Sequence, residues 1–266
     1  MSAKVFPMSG VKNSSVISLR NPHSALATLK MRPKDVVEVL LSKPGGANSQ
    51  GEAWGAVEKL ARASGIRVSA APTRKNHSPS DYEEGGRTSG SEVRIRENPG
   101  VSIEELFSDA RDKASGRGLW LALDNLQDPH NLGAIFRTAS FFGVEGILLT
   151  QDRSAPLSSA AYDVSSGGVE TVPFAWVTNL QRAFELAKDA GIWILGTSEH
   201  ARGDFRKVER DRPWLLVLGN EEKGLRRLTE EACDQMCTIP VRGEVTSLNV
   251  SVAAGILISH LAPRSE

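Results

Sequence analysis

The pattern of hydrophobic positions changes character at Gly118, after which short apolar runs alternate with helically spaced segments. The apolar runs predict strands, and they fall at Leu119–Leu123, Gly146–Thr150, Thr171–Val177, Ile192–Gly196, Trp214–Leu218 and Cys237–Pro240. The helically spaced segments predict helices at 131–142, 158–165, 179–190, 227–235 and 248–261. This alternation predicts the α/β class, with a parallel sheet covered on both faces and ligands at the carboxyl ends of its strands.

The residues before Gly118 predict a smaller α/β layer domain. A helix is expected from His23, a strand at Val36–Leu41, a helix at 53–63 and a strand from Ile66. Residues 72–91 are rich in Pro, Ser, Gly and charged residues, which predicts a mobile loop. The expected organisation is a flexible leader at 1–17, a small domain at 18–98, a linker at 99–117 and a larger domain at 118–266.

The predicted helix at 248–261 is apolar almost all round, which indicates burial on every side. Ser247 fits the N-cap of this helix, and capping would by itself explain Asn131 at the start of the helix at 131–142. Asn249 needs hydrogen-bond partners, because an unpaired amide inside an apolar element is costly.

Three loops that follow predicted strands carry residues that packing alone does not explain. In the first, Arg137 lies on an otherwise apolar helix, so its guanidinium must reach a polar partner or emerge at the strand ends. In the second, Gly219 lets a ligand approach the backbone closely, and Glu221 stands at a strand end where it can orient a polar group. The third contains Ser247 and Asn249. Taken singly, the second loop is more simply explained as an ordinary strand-to-helix turn.

The charge of the chain is balanced overall but not along its length. Lys plus Arg and Asp plus Glu are 32 each, but residues 1–100 hold 15 basic against 9 acidic residues, which leaves the rest of the chain with an acidic excess. A basic front half favours contact with a polyanion, although chance is the alternative. Arg74, Lys75 and Arg87 in the loop at 72–91 could contact RNA phosphates, or the loop could simply be solvated.

The composition and the motifs that are missing from the sequence argue against several classes of protein. The only cysteines, Cys233 and Cys237, lack further ligands for a metal site and fit small buried residues in a reducing compartment. We find no secretory signal and no apolar run long enough to span a membrane, so we expect a cytoplasmic protein. No G-x-G-x-x-G follows a strand, which argues against a nucleotide-dependent oxidoreductase.

Together, the three loops resemble the SpoU (TrmH-like) family of the SPOUT methyltransferases over roughly residues 118–262. Residues 131–139 (NLGAIFRTA) are similar to the first family motif, 218–224 (LGNEEKG) to the second, and 239–253 (IPVRGEVTSLNVSVA) to the third. The front domain resembles, more loosely, the L30e-like substrate-binding module of the ribosomal RNA branch, with Asn21–Ala25 at its first helix. Residues 73–92 depart from that branch, because they are rich in Ser and Gly.

The resemblance implies a C-terminal trefoil knot, a homodimer with active sites at the subunit interface, and S-adenosylmethionine as cofactor. The implied reaction is methyl transfer to a ribose 2′-hydroxyl of RNA, with ribosomal RNA and a guanosine expected. The implied catalytic residues are Asn131, Arg137, Glu221, Ser247 and Asn249. The implied cofactor-binding residues are Thr197, Gly219, Ile239, Val241 and Leu248. No metal is implied. A transfer RNA substrate and a non-catalytic RNA-binding protein on the same fold are the alternatives.

Overall fold

The computed structural model describes residues 15–42, 49–71, 90–152, 154–220 and 222–263. The strands are β1 (Val16–Leu19), β2 (Val36–Leu41), β3 (Val68–Ala70), β4 (Glu92–Arg96), β5 (Leu119–Leu123), β6 (Gly146–Thr150), β7 (Phe174–Val177), β8 (Trp193–Thr197), β9 (Trp214–Leu218) and β10 (Gln235–Cys237). The helices are α1 (Pro22–Met31), α2 (Ser49–Ala63), α3 (Ile103–Leu106), α4 (Pro129–Phe142), α5 (Ser159–Ser165), α6 (Gly168–Thr171), α7 (Leu180–Asp189), α8 (Arg227–Glu231) and α9 (Val250–Leu261).

The larger sheet is parallel and has the strand order β10-β8-β9-β5-β6-β7. Its strands β5, β6 and β9 are buried on both faces because helices cover both sides of the sheet, and successive side chains point to opposite sides. In β5, Leu119, Leu121 and Leu123 pack with α4, α5, α6 and α9, whereas Trp120 and Ala122 pack with α3 and α7. The predicted α/β class and parallel sheet are confirmed, and the bounds of β5, β6 and β9 match the apolar runs.

The smaller sheet has the order β1-β4-β2-β3, in which β4 is antiparallel to both neighbours and β2 is parallel to β3. Residues 15–42, 49–71 and 90–96, which form this sheet with α1 and α2, are called the front unit. Its core contains fully buried residues from both layers, among them Leu19, Val39, Val93, Ala25 and Val57.

The structure corrects several local predictions. Val16 and Ile17, assigned to the leader, belong to β1, and β4 was not predicted. The strand predicted at Thr171–Val177 begins only at Phe174, since Gly168–Thr171 form α6. The prediction of burial on every side of α9 was wrong, because Val252 is 50% exposed while Leu257 and Ile258 are buried.

Membrane spans and metal sites both place requirements on the described residues. None of their helices has the length and hydropathy needed to cross a membrane. No group of three or more His, Cys, Asp or Glu side chains among them is arranged to hold a metal ion.

Candidate active site

The loops that carry the candidate residues meet at the carboxyl edge of the larger sheet. Strands β5 and β9 are neighbours, but the chain leaves β5 toward β6 on one side and leaves β9 toward β10 on the other. Such a reversal of strand order opens a crevice at the carboxyl ends, which is where open α/β sheets bind ligands. The first and second loops flank this crevice.

The first and third loops are joined by a hydrogen bond between two amides. The side chain of Asn131, on α4, is buried, and its Oδ1 accepts from Nδ2 of Asn249 at 3.0 Å. Oδ1 of Asn249 accepts from the amide and the hydroxyl of Ser251 at 2.9 and 2.6 Å. Asn249 therefore caps α9 and reaches α4 at the same time.

Two capping predictions were wrong. The N-cap of α4 is Asp128, whose carboxylate accepts from the amide of His130 at 2.8 Å, and Pro129 occupies the first helical position. The N-cap of α9 is Asn249, and Ser247 is exposed two residues earlier. Asn131 therefore does not cap α4, and its side chain contacts Asn249.

Arg137 lies on a different side of α4 from Asn131. Six residues of helix correspond to about 9 Å along the axis and about 120° around it. The side chain of Arg137 is exposed and makes no hydrogen bond or ion pair with the part of the chain that the structure describes. The structure therefore does not bring Arg137 onto Asn131 and Asn249 within one chain.

The second loop folds back on itself directly after β9. The main chains of Asn220 and Gly224 exchange hydrogen bonds at 3.1 and 3.0 Å, and the Asn220 side chain accepts from the amides of Glu222 and Lys223. A Cβ at Gly219 would lie 2.4 Å from the carbonyl carbon of Gly224. Gly219 is thus required by the loop itself, in addition to any ligand. Glu221 lies outside the described residues, as do Arg74, Lys75 and Arg87.

A buried ion pair at the base of the second loop was missed by the sequence reasoning. The side chain of Asp124, directly after β5, is 0% exposed; its Oδ2 accepts from Nε of Arg226 at 3.1 Å and from the Thr229 hydroxyl at 3.0 Å. Nη2 of Arg226 lies 2.8 Å from Oδ1. Nδ2 of Asn220 donates to the carbonyl oxygen of Asn125 at 2.9 Å. A carboxylate that directly follows an all-apolar strand was the available signal.

The predicted cofactor-binding residues follow three neighbouring strands. Thr197 ends β8 and its hydroxyl donates to the carbonyl of Val217 at 2.9 Å, whereas Ile239 follows β10 and packs partly into the core. Val241 and Leu248 are 52% and 51% exposed. Among the described residues, the amides of Gly219 and Ile239 donate no main-chain hydrogen bond.

The two cysteines are structural. Burial raises the pKa of the Cys233 and Cys237 thiols to about 12, which keeps both protonated near neutral pH.

Comparison with known proteins decides the family. Residues 118–259 match the model of the SpoU rRNA Methylase family. The chain is also 39% identical, over 79% of its own length and 82% of the relative's, to YacO of Bacillus subtilis, which is named as a TrmH family tRNA/rRNA methyltransferase. This chain belongs to the SpoU rRNA methylase family. The resemblance predicted from the three motifs is confirmed.

Other relatives match a smaller share of the chain. The 23S rRNA (guanosine-2′-O-)-methyltransferase RlmB of Nitrosomonas europaea is 45% identical over 59% of each chain. Among solved structures, the SpoU methyltransferase AviRb from Streptomyces viridochromogenes has a TM-score of 0.72 at 20% identity, covering 93% of this chain and 88% of that one. An rRNA methyltransferase from Sinorhizobium meliloti has a TM-score of 0.71 at 20% identity, covering 93% and 87%. These two structures support the fold across nearly the whole SpoU chain.

Proposed function

We propose that this chain is an S-adenosylmethionine-dependent RNA 2′-O-ribose methyltransferase whose substrate is ribosomal RNA. The observation that carries the proposal is the contact between Asn131 and Asn249, which joins two SpoU motifs 118 residues apart beside the crevice of the sheet. The relatives named 23S rRNA (guanosine-2′-O-)-methyltransferase support ribosomal RNA and a guanosine ribose. A transfer RNA substrate is the alternative, favoured by the tRNA/rRNA name of the Bacillus subtilis relative.

The carboxyl edge suits S-adenosylmethionine. The unengaged amides of Gly219 and Ile239 would donate to the polar groups of a nucleoside, and exposed Leu248 and Val241 would cover its apolar surface. Thr197 belongs to the same edge. When bound, S-adenosylmethionine supplies a methyl group on a positively charged sulfur, which needs no further activation. AviRb has been solved with this cofactor.

The protein residues would then orient the ribose and stabilise negative charge on its 2′-oxygen. A guanidinium stays protonated in nearly all settings, so Arg137 would stabilise the negative charge on the 2′-oxygen as the hydroxyl proton passes to solvent water, and would bind the neighbouring phosphate. Asn131, Asn249 and Ser247 would hold the sugar in place. Glu221 would orient Arg137 or the ribose.

A homodimer would complete this site. Arg137 points away from Asn131, and four apolar side chains of the third loop and α9 are each at least half exposed: Val241, Val245, Leu248 and Val252, called the apolar surface. A second copy of the chain would cover this surface, which is the isologous contact of a two-fold dimer. Arg137 of one protomer would then serve the site of its partner.

The front unit would supply affinity for RNA. The excess of basic residues before residue 100 supports phosphate contacts, and an unpaired target nucleotide would supply selectivity. An L30e-like origin of this unit, a trefoil knot formed by the chain around α9, and action in the cytoplasm belong to the same proposal.

The central test is methyl transfer to RNA by wild type and by Arg137→Ala. We expect wild type to transfer radiolabelled methyl groups from S-adenosylmethionine to ribosomal RNA. Removing the cation that faces the developing charge should lower the rate at least about a hundredfold, with cofactor affinity near wild type. Arg182→Ala, which removes an exposed arginine on α7, is the matched control.

Mixing two inactive variants tests the shared site. Arg137→Ala and Asn249→Ala protomers should restore partial activity when combined, because the mixed dimer keeps one complete site. Loss of cofactor binding in folded Arg137→Ala, or wild-type rates in that variant, would contradict the assignment.

A further inference from the structure

The front unit rests on α5 and α6 through directional hydrogen bonds. The amide of Asn21 donates to the Asp163 carboxylate at 2.9 Å, and Nδ2 of Asn21 donates to the Asp163 carbonyl at 2.7 Å. The hydroxyl of Ser24, at the start of α1, donates to the carbonyl of Tyr162 at 2.6 Å. These bonds tie the beginning of α1 to the end of α5.

At the other end of α1, a buried carboxylate holds the two parts together. The side chain of Glu170, on α6, is 0% exposed and accepts from Nε and Nη2 of Arg32 at 2.7 and 2.8 Å. The Thr28 hydroxyl adds a third bond at 3.0 Å. Two parallel bonds between a guanidinium and a carboxylate are strong and restrict orientation. Arg32, Thr28 and Glu170 are called the Glu170 clamp.

The segment that joins the front unit to β5 is also hydrogen-bonded to the larger domain. The amide of Asn98 donates to the hydroxyl of Tyr162 at 3.0 Å, and the amide of Val101 donates to the carbonyl of Phe174 at 2.8 Å. Burial, together with the charge of Glu170, raises the pKa of Tyr162, so this hydroxyl remains protonated. The chain that joins the front unit to β5 thus follows the surface of the larger domain.

The surface under the front unit is in direct contact with the helix that carries Arg137. A Cβ on Gly168 would lie 2.6 Å from the carbonyl oxygen of Phe136 and 2.9 Å from the amide nitrogen of Arg137, so α6 packs backbone to backbone on α4. A Cβ on Gly133 would lie 2.5 Å from the carbonyl oxygen of Ala161, so α5 packs equally closely. Only one layer of helix separates the front unit from the Arg137 turn.

From these contacts we infer that the front unit is a fixed arm, which the Glu170 clamp holds in one orientation relative to Arg137. The inference rests on the proposed function, because it assigns the arm a role in RNA methylation. When a fixed arm binds RNA, the ribose that reaches Arg137 lies at a set distance from the RNA element that the arm holds. The enzyme therefore selects a nucleotide by its separation from a second RNA element, and Arg32 and Glu170 act as positioning residues.

The test breaks the clamp from the side of the cation. In Arg32→Ala the Glu170 carboxylate loses its cationic partner and keeps the Thr28 hydroxyl. Separation of the front unit from α6 lets water reach that buried charge, so it becomes more favourable than in the wild type. If the docked fraction falls to about a tenth, the apparent KM for RNA rises about tenfold. Cofactor affinity should stay near wild type. The distance distribution between spin labels at exposed Lys59 and Glu185 should broaden.

Further variants distinguish a positioning role of the Glu170 clamp from a general loss of stability. Arg32→Ala/Glu170→Ala should be less defective than Arg32→Ala, because no carboxylate remains to gain hydration on opening. Arg62→Ala breaks only an exposed ion pair with Glu58 on α2 and should change nothing. If Arg32→Ala folds poorly, Glu170→Gln, which is isosteric and uncharged, should shift both readouts in the same direction.

The outcomes distinguish this inference from the proposed function. Wild-type distances and a wild-type KM for RNA in Arg32→Ala and in Glu170→Gln would overturn the fixed arm, as would a broad distance distribution in the wild-type protein. If the wild type transfers no methyl group to RNA, the proposed function fails, while the spin labels still report whether the arm is fixed.

Discussion

The ion pair between Asp124 and Arg226 should stabilise the second loop, and loss of the arginine should cost more stability than loss of the aspartate. The Asp124 side chain is 0% exposed, whereas that of Arg226 is 55% exposed. Arg226→Ala therefore leaves a buried carboxylate with only the Thr229 hydroxyl, whereas an Arg226 without its partner would turn into water. Breaking a buried pair by removing one partner costs about 3–5 kcal/mol. Because Arg226 is half exposed, we expect the lower end, about 3 kcal/mol.

Adding Asp124→Asn should recover part of this loss. An asparagine keeps an oxygen for Thr229 but carries no charge, so the double variant should be about 1–2 kcal/mol more stable than Arg226→Ala. The neighbouring Arg227→Ala breaks only an exposed pair with Glu231 and should cost about 0.3–0.5 kcal/mol. It serves as the matched control.

Urea unfolding measures the free energies, and titration calorimetry measures cofactor affinity. Since Arg226 stands at the end of the loop that begins at Gly219, part of the loss should appear as weaker binding. A loss of about 3 kcal/mol corresponds to at most about a hundredfold in affinity. The reasoning is refuted if the double variant is less stable than Arg226→Ala, or if Arg227→Ala is equally damaging.

Two further predictions concern Asn249 and Cys237. Asn249→Asp keeps the oxygen that caps α9 but loses the donor to Asn131, so thermal stability should stay near wild type while methyl transfer falls severalfold; an unchanged rate would contradict the role of this contact. Burial raises the pKa of the Cys237 thiol in the folded protein to about 12, above the unfolded value of about 8.5. The protonated thiol therefore stabilises the folded state fully below about pH 8.5, and this stabilisation is lost as the pH rises toward the folded pKa. Iodoacetamide at pH 8 should therefore label Cys237 only after unfolding, and rapid labelling of the folded protein would oppose this.

Local sequence was sufficient to find the strands whose two faces have the same buried environment. The runs at β5, β6 and β9 are apolar throughout because these strands are covered by helices on both sides, so no partner needs to be known to find them. The helix α4 was also found from its pattern, but its start was placed at Asn131, whereas the helix begins at Pro129 after the cap residue Asp128.

Strand β4 shows where local pattern is insufficient. Its charged residues Glu92, Arg94 and Arg96 alternate with the fully buried Val93 and Ile95. The segment directly follows a Gly- and Ser-rich stretch, and its pairing partners β1 and β2 lie far away in sequence. This alternation has the period of a strand but covers only five residues, and pairing with β1 and β2 on either side holds the segment in that conformation.

The sequence alone determined the family, the parallel sheet and the identity of the motif residues, because these depend on residue types at set spacings along the chain. Tertiary structure decided which of those residues meet. Asn131 contacts Asn249 across 118 residues, and Asp124 contacts Arg226 across 102, while Arg137 faces outward on the same helix as Asn131. The docking of the front unit on Glu170 belongs to this second group. Such contacts depend on how whole helices and strands pack. A hydrogen bond between two residues far apart in sequence requires close approach in space, and it produces no periodic pattern of residue types in either segment.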